Sequence, residues 1–321
     1  MTNLNLTDTI LVTGGNGFAG SHLIELLKQE GFQDIQATVY SRDDAISDFL
    51  TRDKIHRLDL TDQQATQDLI AKVRPKMIFH LAALAVVGKS FANIQPTILN
   101  NLKLQLSLLE AVKENAPQAK ILIIGSGMEY DLINYQTDRG IREDHPLGPA
   151  SPYGVAKVAQ DLLALSYFYS YKLAIVRARP FNHIGERQTA DFAVASFAKQ
   201  IALIEKGDQK EVRVGNLSAV RDFTDVKDIC RAYLLLMEKG RNGEVYNIGS
   251  GKGVSVQFVL DQLISLADRP IPVVIDQNRL RPSDIKKAVA NNQKIRDLGW
   301  APKIALTETL KRILNYWREK V

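Results

Sequence analysis

Apolar residues along this chain gather into short unbroken runs that alternate with stretches of helical spacing. Residues 9–13, 35–40, 77–81, 119–125 and 173–179 are runs of strand length. Between them, residues 22–30, 64–73, 96–115 and 153–171 repeat apolar positions at intervals of three and four. A strand buried on both faces reads as a continuous apolar run, and a helix covering a sheet shows the 3.6-residue period. Their alternation at this pitch predicts an α/β fold, a doubly wound parallel sheet with helices on both faces. Beyond Pro180 the rhythm loosens. Glycine and proline become more frequent, the strands shorten (212–214, 245–248, 273–275), and helical pieces return near 256–267 and 306–317. The expected organisation is a first domain over residues 1–180 and a smaller C-terminal lobe over 181–321. Residues 220–245, around Phe223 to Lys239, are expected to return to the first domain.

Composition narrows the class. A chain of 321 residues, 45% hydrophobic and 24% charged, is an ordinary globular composition with ample material for a core. The net charge of +5 is spread without a basic run, so neither nucleic acid nor a membrane surface is an expected partner; a mildly basic protein suits an anionic substrate. One cysteine, Cys230, leaves no internal disulfide and no cysteine-based metal cluster, and no metal site is expected. The polar start of the chain lacks the layout of a signal peptide, and no apolar stretch approaches the roughly 20 residues that span a bilayer. The cytoplasm is the expected compartment.

The first chemical signal follows the first apolar run. Thr13-Gly14-Gly15-Asn16-Gly17-Phe18-Ala19-Gly20 places glycines at 14, 17 and 20, between a strand and a helix. The first permits a tight turn, the second lets backbone amides approach a pyrophosphate, and the third lets the helix pack closely on the strand. The helix N-terminus adds its amides and partial positive charge. A lone glycine motif is weak, but this context is that of a dinucleotide-binding Rossmann domain. The loop residues Gly14, Asn16, Gly17, Phe18 and Gly20 are its candidate contacts. The second strand ends Thr38-Val39-Tyr40-Ser41-Arg42. An acid there would bind the ribose 2′-hydroxyl of NAD, whereas Ser41 and Arg42 suit the 2′-phosphate of NADP. NADP(H) is favoured, and NAD(H) stays open because a one-residue shift brings Asp43 to the ribose. Asp59 and Leu60, after the third strand, are candidates for the adenine, with a solvated loop aspartate as the rival reading.

The catalytic candidates are Tyr153 and Lys157, four residues apart and hence on one helical face. Alone, such a pair is ordinarily a surface contact. Here it follows a parallel strand in a chain that already has a dinucleotide loop, and a neighbouring ammonium is expected to lower the phenol's pKa from about 10. The preceding strand ends at Ser126, where strand carboxyl ends face the cofactor crevice. Its hydroxyl can hydrogen-bond a substrate carbonyl.

These pieces, with His80-Leu81-Ala82-Ala83 and Asn101, resemble the extended short-chain dehydrogenase/reductase family over essentially the whole chain. Arg179-Pro180-Phe181-Asn182-His183-Ile184-Gly185, Val220-Arg221-Asp222-Phe223-Thr224-Asp225-Val226 and Leu280-Arg281-Pro282-Ser283-Asp284 are similar to its GDP-sugar branch. The resemblance implies that Leu81, Ala82, Ala83 and Asn101 join Tyr153 and Lys157 in holding the cofactor. It implies that Asn182, Lys199, Arg221 and Arg281 hold the substrate nucleotide, with the arginines at its diphosphate, and that Asp284 holds a ribose hydroxyl. It also implies a homodimer in which helices 96–115 and 153–171 pair with their copies as a four-helix bundle. Leu102, Leu106, Leu109, Leu163, Tyr167 and Phe168 are the apolar residues available for this, unless they only cover the sheet.

Within that branch, dehydratases carry a segment like Ser-Thr-Ser-Glu-Leu-Tyr-Gly, whose glutamate serves the elimination. Here the equivalent stretch is Gly125-Ser126-Gly127-Met128-Glu129-Tyr130-Asp131, with Met128 at the carboxylate position. If the segment is extended, Glu129 points to the opposite face. The expected activity is therefore NADPH-dependent reduction of a 4-keto-6-deoxy sugar carried on a nucleotide, GDP favoured. A 4-epimerase with retained NAD is the alternative, and the absence of an acid at Ser41 speaks against it. A non-catalytic protein of this fold would be expected to have lost the Tyr–Lys pair.

Overall fold

The computed structural model describes residues 4–135, 137–280 and 285–321. The first half runs β1 (Ile10–Thr13), α1 (Phe18–Gln29), β2 (Ile35–Val39), β3 (Ile55–Arg57), α2 (Gln63–Val73), β4 (Met77–His80), α3 (Val87–Ser90), α4 (Ile94–Asn115), β5 (Lys120–Ile124), α5 (Pro152–Tyr171) and β6 (Ala174–Pro180). The second half runs β7 (Asn182–Ile184), α6 (Ala193–Lys206), β8 (Val212–Val214), β9 (Val220–Asp225), α7 (Val226–Lys239), β10 (Val245–Ile248), β11 (Gly253–Ser255), α8 (Val256–Ile264), β12 (Val273–Ile275), β13 (Lys287–Ala288), α9 (Gln293–Arg296) and α10 (Leu306–Lys320).

The central sheet has seven parallel strands in the order β10-β6-β5-β4-β1-β2-β3. The chain moves outward from β1 to β3, then resumes on the other side of β1 with β4, so the topology reverses between β1 and β4. Ligands of open α/β sheets bind outside the strand carboxyl ends at such a point. Alternate residues of each strand feed two different cores, as the two-residue period of a strand requires. Ile10, Val12 and Leu122 pack with α1 and α7, while Leu11, Ile121, Ile123 and Ile175 pack with Ile70 of α2, Leu108 and Val112 of α4 and Ala164 of α5. Both faces are covered, which explains why the sequence shows these strands as unbroken apolar runs.

Three boundaries differ from the sequence expectation. Helix α1 begins at Phe18 rather than near residue 22, because Gly17 supplies the extended N-cap and Gly20 is already helical. Of the stretch 220–245, α7 packs with the first domain's core and β10 joins its sheet, but β9 does not. That strand pairs with β7, β11 and β13 in a separate sheet. Helix α6 stands where the sequence rhythm had loosened, and with α8 and α10 it encloses the lobe's own core of Phe197, Ile201, Leu260, Leu263, Leu310 and Ile313. No described helix is long and apolar enough to cross a membrane.

Candidate active site

The turn after β1 is built around close approaches that only glycine allows. Gly14 sits at φ +69°, and a Cβ there would lie 2.9 Å from the Ala82 Cα. A Cβ at Gly20 would lie 2.3 Å from the Gly14 carbonyl oxygen, so the first turn of α1 rests directly on the loop. Gly17 is the N-cap with no side-chain cap. The leading amides of α1 therefore keep the donor capacity and partial positive charge that a helix start offers an anion. This is a fit for a dinucleotide pyrophosphate. Asn16 braces the loop instead of reaching outward: its amide donates to Asp44 at 3.1 Å and its oxygen accepts from the Ala45 amide at 2.8 Å. The Phe18 ring stacks on His183 of β7 at 5.7 Å, joining the loop to the segment after β6.

Past the end of β2, Ser41 and Arg42 are exposed, and a second guanidinium that sequence reading missed stands beside them. Arg57, the last residue of β3, donates to the Ser41 carbonyl at 2.5 Å and to Asp43 at 3.2 Å. Both nearby acids are thus engaged, Asp43 by Arg57 and Asp44 by Asn16. Two arginines beside Ser41 suit a 2′-phosphate better than a bare ribose. Arg42→Ala is expected to weaken NADPH by roughly tenfold or more, a charge-assisted bond being worth about 1.5–3 kcal/mol, and to leave NADH binding nearly unchanged. Fluorescence titration with both cofactors checks this, with Arg57→Ala alongside; equal losses for the two cofactors would remove that arginine from the phosphate site.

The remaining cofactor candidates divide. Asp59 is exposed and its carboxylate caps its own turn through the Thr61 amide at 2.9 Å, while Leu60 is buried behind it. Leu81, Ala82 and Ala83 form the loop leaving β4, and the Ala82 amide donates to the Thr13 hydroxyl at 3.2 Å. Asn101 shapes that loop: its side chain accepts from the Leu84 amide at 2.7 Å and donates to the Leu84 carbonyl at 3.1 Å. His80 is buried beneath, and burial, reinforced by the Lys157 cation, pushes it down to about 3, so it stays neutral.

Ser126, Tyr153 and Lys157 come together at the end of β5. Ser151 N-caps α5 through the Gly154 amide at 3.1 Å. A Cβ on Gly154 would lie 2.6 Å from the Met128 carbonyl oxygen, which fixes how tightly α5 meets the segment after β5. The Ser126 hydroxyl faces the Tyr153 phenol and accepts from the Met128 amide at 3.1 Å. Lys157 Nζ donates to the Ile124 carbonyl at 2.8 Å and lies 5.9 Å from the centre of the Tyr153 ring. Burial pushes Lys157 down to about 8, with Glu129 opposing. The expected lowering of the phenol is not met. Burial pushes Tyr153 up to about 12, against the Ser126 hydrogen bond and with a further upward push from Glu129.

The segment expected to be extended is instead a 3₁₀ turn, Gly127–Glu129, closed by a capping box with Ser126. Glu129 is fully buried. One carboxylate oxygen accepts the Ser126 amide at 2.6 Å and the other lies 2.8 Å from Arg179 Nε. Glu129 is therefore held by this ion pair and the turn, not by strand alternation. Met128 packs against the small core of Tyr130, Phe181 and Ile285.

On the substrate side, Asn182 opens β7 with an exposed side chain, and Arg221 on β9 donates to the Val220 carbonyl at 2.9 Å. Lys199 on α6 lies 5.5 Å from the Trp317 ring and lines a cleft with Ser196, Gln200, Arg213 and Arg279. Arg279, absent from the sequence candidates, donates to Ser196 at 3.2 Å there. Arg281 and Asp284 lie outside the described residues.

Residues 11–313 match the model of the family described as GDP-mannose 4,6 dehydratase. The GDP-6-deoxy-D-mannose reductase of Pseudomonas aeruginosa is 31% identical over 318 residues, covering 98% of this chain and 99% of that protein. The structure of RMD from Pseudomonas aeruginosa complexed with NADPH superposes with a TM-score of 0.86 at 30% identity, covering 98% of this chain and 100% of that one. UDP-glucose 4-epimerase from Thermotoga maritima, with UDP-glucose, gives a TM-score of 0.85 at 30% identity, covering 97% and 99%.

Proposed function

The chain belongs to the GDP-mannose 4,6 dehydratase family, within the extended short-chain dehydrogenases/reductases, and on that footing we propose that it is an NADP(H)-dependent reductase of a nucleotide-activated 4-keto-6-deoxy sugar. GDP-4-keto-6-deoxy-mannose, giving GDP-rhamnose, is the substrate this reading favours. The observation that carries it is the pairing of an intact Ser126–Tyr153–Lys157 group with a methionine, Met128, where elimination would need a carboxylate. The nearest acid, Glu129, is locked in a buried ion pair.

NADPH, when bound, supplies the hydride that reduces the C4 ketone. The chain's own work is to hold that ketone and give it a proton. The Ser126 hydroxyl hydrogen-bonds the carbonyl oxygen, and Tyr153, kept protonated by its burial, delivers the phenolic proton to the oxygen as it becomes a hydroxyl. Lys157, held by the Ile124 carbonyl, keeps a positive charge near the phenolate that this leaves. The test is incubation with NADPH and a panel of 4-keto-6-deoxy nucleotide sugars, following loss of cofactor absorbance. Consumption with the GDP-linked sugar supports the reading. Turnover of UDP-glucose without added cofactor, and none of a keto sugar with NADPH, would replace it by a 4-epimerase.

The reading includes a homodimer, supported by a set of residues that shares only Leu106 with those the sequence suggested. Leu109 and Tyr167 are buried under the sheet, with Leu163 and Phe168 packed against the same core. Leu106 on α4 is exposed as expected, and with it Leu99 on α4 and Val155, Leu162 and Tyr169 on α5, each 42–62% accessible. Spaced by seven, they form an apolar stripe on each of two adjacent helices, the arrangement of a helical-bundle seam. Light scattering at micromolar concentration is expected to give twice the 35.8 kDa chain mass, and Leu106→Glu with Leu162→Glu is expected to halve it. A wild-type monomer would count decisively against the dimer.

A further inference from the structure

Behind the Ser126–Tyr153–Lys157 group lies a set of buried charges that the reduction itself does not use. Glu129, Asp161, Arg177 and Arg179 are 0%, 1%, 6% and 3% exposed. Asp161 accepts from Arg177 at 2.6 Å and from Arg179 at 2.8 Å through one oxygen. Arg179 also donates to the Tyr130 hydroxyl at 2.9 Å, and its Nε lies 2.8 Å from Glu129. Taking such ions out of water costs several kcal/mol each unless they are paired, so the cluster is not a casual packing choice.

Its placement ties it to the site. Tyr153, Lys157 and Asp161 follow one another at four-residue intervals along one face of α5, so the helix that carries the proton-transfer pair also anchors Arg179. A Cβ on Gly125 would lie 2.2 Å from the Glu129 carboxylate, so glycine there leaves the space the carboxylate occupies. One Glu129 oxygen accepts the Ser126 amide, and the other lies 2.8 Å from Arg179 Nε as an ion pair. The adjacent Arg179 guanidinium and the Ser126 amide favour the ionised carboxylate, against a burial that pushes the group up to about 8. The groups around it are Arg179 and Arg177 on β6, Asp161, Lys157 and Tyr153 on α5, and Tyr130 next in the chain. His80 lies near Lys157, and Glu143 lies near Tyr130.

We propose that Glu129 is a positioning residue for the reduction: its carboxylate, held by Arg179, fixes Ser126 through the backbone amide and sets a negative charge behind the Tyr153–Lys157 pair. The inference rests on Tyr153 as the proton donor. A carboxylate beside a phenol disfavours the phenolate, so removing its charge lowers the pH at which the donor is lost. With NADPH and a keto sugar, the basic limb of the kcat/KM profile is expected to move down by roughly one pH unit in Glu129→Gln. In cofactor-free protein labelled with ¹³Cζ-tyrosine, the Tyr153 resonance, assigned by its loss in Tyr153→Phe, is expected to titrate lower by a similar amount. A wild-type profile and resonance in Glu129→Gln would overturn the proposal. If that variant does not fold, Glu129→Asp carries the test: it keeps the charge but draws the carboxylate from the Ser126 amide, so kcat is expected to fall with the basic limb unmoved. A wild-type kcat in Glu129→Asp would overturn it equally. An active Tyr153→Phe sinks the proton-donor reading itself, whereas an inactive Tyr153→Phe beside an unaltered Glu129→Gln sinks only this inference.

Discussion

Tyr153→Phe is expected to lower turnover of the keto sugar by roughly 10²–10⁴-fold, the scale of losing a general acid, while NADPH binding and thermal stability stay near wild type. The change removes one oxygen from a ring that is already buried beside the Ser126 turn, so packing is conserved and the loss falls on proton delivery. The hydroxyl lost faces Ser126, whose own hydroxyl still accepts from the Met128 amide; the turn therefore keeps its capping bond. Steady-state kinetics and cofactor titration on the same preparation separate the two effects. A variant with near-normal turnover would remove Tyr153 from the mechanism. Lys157→Met is expected to impair turnover as well, by taking a cation from beside the ring and leaving the Ile124 carbonyl without its donor. Because Lys157 is buried with the ring, that loss is expected in kcat more than in KM.

Much of this site was legible in the sequence because its signals are local. The glycines at 14, 17 and 20 need only a strand before them and a helix after them, and Tyr153 and Lys157 need only one helical turn. Strands buried on both faces announce themselves as apolar runs, which is why the central strands agree with the structure within a residue or two. The parts missed depend on residues brought together from far apart. Arg57 reaches Ser41 only because β3 lies beside β2, and the two are separated by 16 residues. Arg279 reaches Ser196 across 83 residues. Glu129 was read from strand alternation, yet its burial depends on Arg179, contributed by the next strand of the sheet, and on a turn that a short polar sequence does not announce. The dimer stripe shows the same limit in another form. Helical spacing identified apolar residues on α4 and α5, but not which of them the sheet would cover.

Incubation of the protein with NADP⁺ and GDP-mannose is expected to yield no 4-keto-6-deoxy product, whereas the keto sugar with NADPH is expected to consume cofactor. Dehydration must oxidise C4, remove the C5 proton, expel the C6 hydroxyl as water and return the hydride to C6. The middle steps need an acid and a base close to the sugar. Met128 transfers no proton, and its side chain is held in an apolar cluster with Tyr130 and Phe181. Glu129 would have to leave both the Ser126 amide and Arg179. That would leave the buried Arg179 with Asp161 as its remaining anionic partner, in a site where losing one member of a buried charge cluster is costly. Such a rearrangement would also open the capping box that holds Ser126 over the site, so the acid would be gained at the expense of the carbonyl's hydrogen-bond donor. For the same reason Met128→Glu alone is not expected to create a dehydratase, since proton transfer needs placement within about 3 Å as well as the right group. Product analysis by mass spectrometry decides the matter: appearance of the dehydrated sugar from the wild-type protein would mean that an acid reaches C5 and C6 from elsewhere in the cleft, and the reductase reading would fall with it.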